Sequence, residues 1–217
     1  MRNLNKLIYP VLTIFALLAT VPVAAESGPD EMVRNAVERM TSRIDQERDR
    51  LEKEPDYARR LVDEEMDSLV DFRRITRAVM AEHFGTASRE QRIDFLKAFR
   101  ASLINTYASG ITMYDGQPWR VLPMQEGDLR GDRARVQMEI TTEGGQRIPI
   151  VYTLFQSEDQ WRVDNVIVNG LNLGRVFRAQ FAQAMQEHQG DIDAVIANWS
   201  AEVPEEGEDL LEGGGEA

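Results

Sequence analysis

Ala134-Arg135-Val136-Gln137-Met138-Glu139-Ile140-Thr141 and Ile148-Pro149-Ile150-Val151-Tyr152-Thr153-Leu154-Phe155 decide the fold. In the first stretch Ala134, Val136, Met138 and Ile140 take every second position, and Arg135, Gln137 and Glu139 fill the gaps. That is the period of a strand with one buried face. In the second stretch both faces are largely apolar, so this strand is expected in the middle of a sheet, covered on both sides. Trp119 to Gln125 and Trp161 to Val168 read as flanking strands, with turn signals at Glu126-Gly127-Asp128, Glu143-Gly144-Gly145 and Ser157-Glu158-Asp159. Connections this short favour an antiparallel meander.

Upstream the apolar period is helical. Val33, Val37, Met40, Ile44 and Leu51 form one stripe, with Asp30 placed to cap the first turn. Pro55 suits the start of a second helix carrying Tyr57, Leu61, Met66 and Leu69, and Asp71 can cap a third with Phe72, Ile75 and Val79. Ser88-Arg89-Glu90-Gln91 is a capping box opening a helix with a wide apolar face, Phe95, Leu96, Phe99, Leu103, Ile104 and Tyr107, which Gly110 is expected to end. Downstream, Leu173, Val176, Phe177, Phe181, Ala184 and Met185 form another stripe, and Asp191 can cap a last helix with Ile192, Val195, Ile196 and Trp199. Helices, then strands, then helices, without βαβ alternation, argue for an α+β fold: helices packed around a bent, mainly antiparallel four-stranded sheet. Such a half-cone, NTF2-like in character, is expected to enclose an apolar cavity.

The ends of the chain have other compositions. Arg2 and Lys6 precede a 15-residue apolar stretch, Leu7 to Val21, and Val23-Ala24-Ala25 offers small residues for cleavage. Residues 1–25 therefore read as a secretory signal peptide, since a membrane span needs about 20 apolar residues. Residues 202–217 contain seven acidic residues, no basic ones and four glycines, and read as an acidic disordered tail. Residues 26–201 are left as a single folded domain.

The whole chain of 217 residues carries 25 Lys plus Arg against 37 Asp plus Glu, a net charge of −12. Without the leader's two basic groups the charge becomes −14, and without the tail's seven acidic ones it becomes −7. An acidic surface without a compact basic patch argues against nucleic acid as a partner. The absence of cysteine excludes disulfides, a cysteine nucleophile, cysteine-based zinc sites and an acylated cysteine anchor.

Catalytic candidates are sparse. His83 and His188 stand on different helices, and no HExxH, GxSxG or GxxxxGK[ST] motif occurs. The runs Asp63-Glu64-Glu65 and Glu205-Glu206 lack the glycine and spacing of a calcium loop. A half-cone enzyme acting on an apolar substrate would need a strand carboxylate in the interior. Glu139 alternates with the apolar set and is expected to face away; Asp164 shares its parity with Arg162, Val166 and Val168, which leaves its direction open. No catalytic residue, metal site or cofactor is assigned. The remaining alternatives are that enzyme and a ligand-free adaptor with a solid interior.

The C-terminal third carries Tyr152-x-Leu154, Trp161-Arg162-Val163, Val166-x-Val168-x-Gly170 and Phe177-Arg178-x-Gln180-Phe181. The first half adds Asp71-Phe72-x-x-Ile75, Ser88-x-x-Gln91-x-x-x-Phe95-x-x-x-Phe99 and Tyr107. In order and spacing this resembles the MlaC family of periplasmic phospholipid-binding proteins, also called the toluene-tolerance auxiliary family, from about Asp30 to Trp199. The chain departs from the family pattern at Asp164-Asn165, at Gly170-Leu171-Asn172 and at Met80-Ala81. The resemblance implies a periplasmic shuttle that carries phospholipid between an inner-membrane ABC transporter bearing an MCE-domain protein and an outer-membrane lipoprotein–porin complex, maintaining outer-membrane lipid asymmetry. Phospholipid would then be cargo, and the apolar residues expected to line its cavity are Phe95, Phe99, Leu103, Tyr107, Met138, Ile140, Ile150, Tyr152, Val166, Val168, Phe177 and Phe181. Arg120, Arg162 and Arg178 are the cations available to a phosphate.

Overall fold

Local capping chemistry starts most of the helices. In the computed structural model, which describes residues 28–158 and 160–202, helix α1 (Pro29–Lys53) begins two residues earlier than expected. Gly28 is its N-cap, Pro29 takes the first turn and no side chain caps it; Asp30 sits inside the first turn, where its charge suits the positive end of the helix. The helix kinks at Glu47, whose carboxylate accepts from the Tyr57 hydroxyl. Helix α2 (Pro55–Leu69) starts on Pro55. Helix α3 (Phe72–Met80) is capped by Asp71, which accepts from the Arg74 N–H at 2.9 Å. A single turn, α4 (His83–Thr86), leads to α5 (Arg89–Ile111), where both hydrogen bonds of the Ser88–Gln91 capping box form. Gly110 lies inside α5 rather than beyond it, and Thr112 is the C-cap.

The sheet is antiparallel throughout and open. Its order is β1 (Trp119–Val121), β3 (Arg133–Thr141), β4 (Arg147–Ser157), β5 (Gln160–Val168) and β6 (Leu171–Asn172), with β2 (Leu129–Arg130) beside the start of β3. The four expected strands carry it, and β2 and β6 add two residues each. The first strand is shorter than its expected run to Gln125. Leu122 still donates to the Gln137 carbonyl at 2.8 Å, but Pro123 has no N–H to continue the ladder.

Side-chain alternation sorts the two faces. Ala134, Val136, Met138, Ile148, Ile150 and Leu154 are buried on the inner face. The outer face of β4 departs from expectation: Pro149 is exposed and Val151, Thr153 and Phe155 are only partly covered. Phe155 is sheltered by the guanidinium of Arg74, 3.8 Å from the ring centre.

A bulge in β5 decides the parity that the sequence leaves open. Tyr152 pairs with Val166 and Thr153 with Asn165, but Leu154 pairs with Val163, so Asp164 is the extra residue. The free edge of β5 is closed by the α2–α3 connection. Val70 bridges Val163 in parallel, Asp71 N–H donates to the Val163 carbonyl at 2.9 Å, and Arg162 donates to the Asp67 carbonyl at 2.9 Å. Helices α6 (Leu173–Glu187) and α7 (Ile192–Ala197) are capped by Asn172 and Asp191. The main core joins the inner sheet face to α3, α5 and α6, and a smaller one lies among α1, α2 and the end of α5. The expected leader and most of the acidic tail lie outside the described residues.

Candidate functional site

The twelve expected interior residues fall into two environments. Phe95, Phe99, Leu103, Phe177 and Phe181 are buried. Phe95 and Phe181 meet edge to face at 4.7 Å, and Phe99 and Phe177 do so at 5.4 Å. Trp199 closes this cluster, 4.9 Å from Phe95. Aromatic rings packed in this way form solid core. On the sheet, Met138, Ile150 and Val168 are also buried. Tyr107, Ile140, Tyr152 and Val166 pack against the same core but keep accessible surface.

Met66 of α2 is partly buried in the same way. Met66 and Tyr107 touch both apolar cores, so these two side chains lie where the cores meet. Tyr152 projects from β4 between its cross-strand neighbours Val136 and Val166. Burial pushes the phenol of Tyr107 above its ordinary value. Burial does the same to Tyr152, and a repulsive contribution from Tyr107 adds to it, which places the two phenols within electrostatic reach of each other. Both rings thus combine residual accessible surface with a desolvated hydroxyl.

The polar candidates lie elsewhere. Asp164 accepts from Thr153 Oγ1 at 2.8 Å and from Arg74 Nε at 3.0 Å, with Arg133 at 3.5 Å. It belongs to the side of the sheet that carries Thr153 and Phe155, opposite to Tyr152. Glu139 pairs with Arg120 at 2.7 Å and Arg147 at 3.9 Å. Arg178 pairs with Glu82 at 3.7 Å, and Arg162 is engaged at the sheet edge. The run Asp63-Glu64-Glu65 ties helices together: Asp63 and Asp67 hold Arg100 at 2.7 Å each, while Glu64 and Glu65 meet Arg43 at 3.3 and 3.4 Å. His83 lies 5.9 Å from the Phe181 ring, and His188 is the C-cap of α6. Surface grooves of about 440 and 670 Å³, at the β2–β3 end and on α1, hold none of the twelve residues.

Three interior residues are not singled out for the interior by the sequence. Met66 is visible there only as one member of a helical stripe. Thr76 is buried and its hydroxyl has no partner, and the Trp199 indole N–H is likewise buried and unpaired. Trp199, expected on the stripe of the last helix, lies beyond its end, since α7 stops at Ala197. Two departures from the family pattern acquire roles: Asn172 accepts from Arg175 N–H at 3.1 Å as the N-cap of α6, and Asn165 accepts from Gly174 N–H at 3.0 Å. Among the described residues no acidic or His cluster could hold a metal ion, and no helix is long and apolar enough to cross a membrane.

The chain has relatives that share this layout. It is 31% identical over 194 residues to the toluene tolerance protein ttg2D of Pseudomonas putida, covering 89% of each chain. It is 23% identical over 167 residues to the intermembrane phospholipid transport system binding protein MlaC of Haemophilus influenzae, covering 75% of this chain and 76% of the relative. Its fold matches that of the phospholipid-binding protein from Ralstonia solanacearum, solved in complex with a phospholipid, with a TM-score of 0.71 at 22% identity over 80% of this chain and 94% of the other. The family described as MlaC protein matches residues 34–201, nearly the whole of the sheet and its helices, and the chain belongs to that family.

Proposed function

We propose that this protein binds phospholipid, with the acyl chains in the interior between the sheet and helices α2 and α5, and carries it through the periplasm between the two membranes of the envelope. The observation that carries this reading is the partly accessible interior at Tyr107, Ile140, Tyr152 and Val166, in a fold whose Ralstonia counterpart was solved with a phospholipid. The thermodynamics fit a carrier. Burying a methylene is worth about 0.8 kcal/mol, so two acyl chains of roughly 30 methylenes would cost on the order of 24 kcal/mol to strand in water. A protein that encloses the tails removes that barrier without chemistry of its own, so it acts as a binding protein rather than an enzyme. Hand-over requires only that donor and acceptor hold the tails with similar free energy.

The donor and acceptor in this account are an inner-membrane ABC transporter with an MCE-domain protein and an outer-membrane lipoprotein–porin complex, and the exchange serves outer-membrane lipid asymmetry. Export follows from the leader at residues 1–25. Met138 and Ile150 adjoin the interior on the sheet side, so a Trp at either position fills space the tails need. Transfer of a labelled phospholipid between vesicles tests this: wild type accelerates transfer, and Met138→Trp and Ile150→Trp reduce it. Unchanged transfer in both would remove the inner sheet face from the site.

A further inference from the structure

The outer face of the sheet gathers guanidinium groups at one end. Arg130 of β2 and Arg133 of β3 are direct partners in the antiparallel ladder, so two like charges stand opposite each other on one face, an arrangement that costs stability. Arg135, two residues along β3 and paired with Thr153, points to the same face. These three arginines, with Thr153 and the turn Glu126-Gly127-Asp128, line the groove of about 440 Å³ at the β2–β3 end.

The groove contains carboxylates, yet they leave its cations open. Asp128 Oδ2 is used within its own turn, where it accepts from the Gln125 N–H at 2.7 Å. Among the described residues the one ion pair made by the three arginines joins Arg133 to Asp164 at 3.5 Å, and that carboxylate is already held by Arg74 and Thr153. Arg130 donates only to the Gly127 carbonyl, at 3.0 Å, and the Arg135 guanidinium has no partner. Three planar forks around one recess, two of them opposed, suit an anion that accepts from more than one fork at once. A phosphate group does this better than a carboxylate, having more oxygens and more charge. The net charge of −7 on the folded body opposes a polyanion, so the ligand is a single phosphate group.

We propose that Arg130, Arg133 and Arg135 form a phosphate-binding site on the outer sheet face, on the side of the sheet opposite Tyr152. The phosphate is either free in solution or the head of a lipid in a membrane surface, and in both cases it relieves the opposed cations.

The test is an isothermal titration of the full chain with inorganic phosphate at low ionic strength, with chloride as the background anion. Wild type should bind saturably, and the double variant Arg130→Gln, Arg135→Gln at least about tenfold more weakly. Phosphate should raise the melting temperature of wild type and leave that of the variant unchanged. In chloride alone the variant should melt no lower than wild type, because removing one of two opposed cations relieves repulsion. Sedimentation with phosphatidylcholine vesicles containing phosphatidic acid separates the sources. Wild type that sediments with them where the variant does not assigns the site to a lipid head; phosphate binding without sedimentation assigns it to the free ion. Binding of neither probe, or equal binding by the variant, overturns the proposal.

Discussion

Arg74 of α3 reaches across the edge of the sheet to hold the Asp164 carboxylate of β5 at 3.0 Å, 90 residues away in sequence. The pair locks the β5 bulge to the helical layer, with Thr153 on the second carboxylate oxygen. Asp164→Asn should therefore lower stability by about 1–2 kcal/mol, because the pair is partly exposed and loses charge-assisted bonds rather than a buried ion. Phospholipid transfer should be unchanged. Urea unfolding and a vesicle assay on the same sample check both; a loss of transfer with full stability would revive an interior role for this carboxylate.

The aromatic end of the interior should behave as core. Phe99 is fully buried and meets Phe177 edge to face, so Phe99→Ala should cost about 3–5 kcal/mol. A far smaller loss in an unfolding titration would mean that Phe99 borders open space.

Gly174 is required by a close approach. A Cβ there would stand 2.5 Å from Asn165 Oδ1, the atom that accepts from its own N–H. Gly174→Ala should destabilise by about 1–3 kcal/mol. The penalty should shrink when Asn165→Ala is also present, which a double-mutant cycle measures directly.

Alkaline pH should weaken the fold through the two interior phenols. Their folded-state pKa values are raised by burial above the ordinary value of 10.0. Below the unfolded value both states are protonated and nothing is lost; as pH rises past about 10 the unfolded chain sheds protons that the folded one retains, and stability falls. Ultraviolet titration should show these phenols ionising later than exposed tyrosines. In Tyr152→Phe the stability lost above pH 10 should be smaller; an unchanged pH profile would place Tyr152 in contact with bulk water.

What sequence reveals here follows the range of the interactions. The caps at Asp71, Ser88 and Asp191 are set within a few residues, and composition and spacing display them. The inner faces of β3 and β4 are equally plain, since alternation is local. The direction of Asp164 is not, because a bulge is a mismatch between two strands and exists only once they pair. The half-open outer face of β4 is hidden for a similar reason: Phe155 reads as a residue needing hydrocarbon cover, but Arg74 supplies it from a distant helix. Pro123 does carry a readable signal, because its missing N–H shortens β1. The division of the apolar residues into packed rings and partly accessible ones depends on tertiary packing that periodicity does not encode.

Native mass spectrometry of the purified full chain, followed by lipid extraction, tests the central claim most directly. The account predicts that the protein carries phospholipid, or takes it up from labelled vesicles when purified empty. A protein that holds no phospholipid and acquires none under those conditions would contradict it.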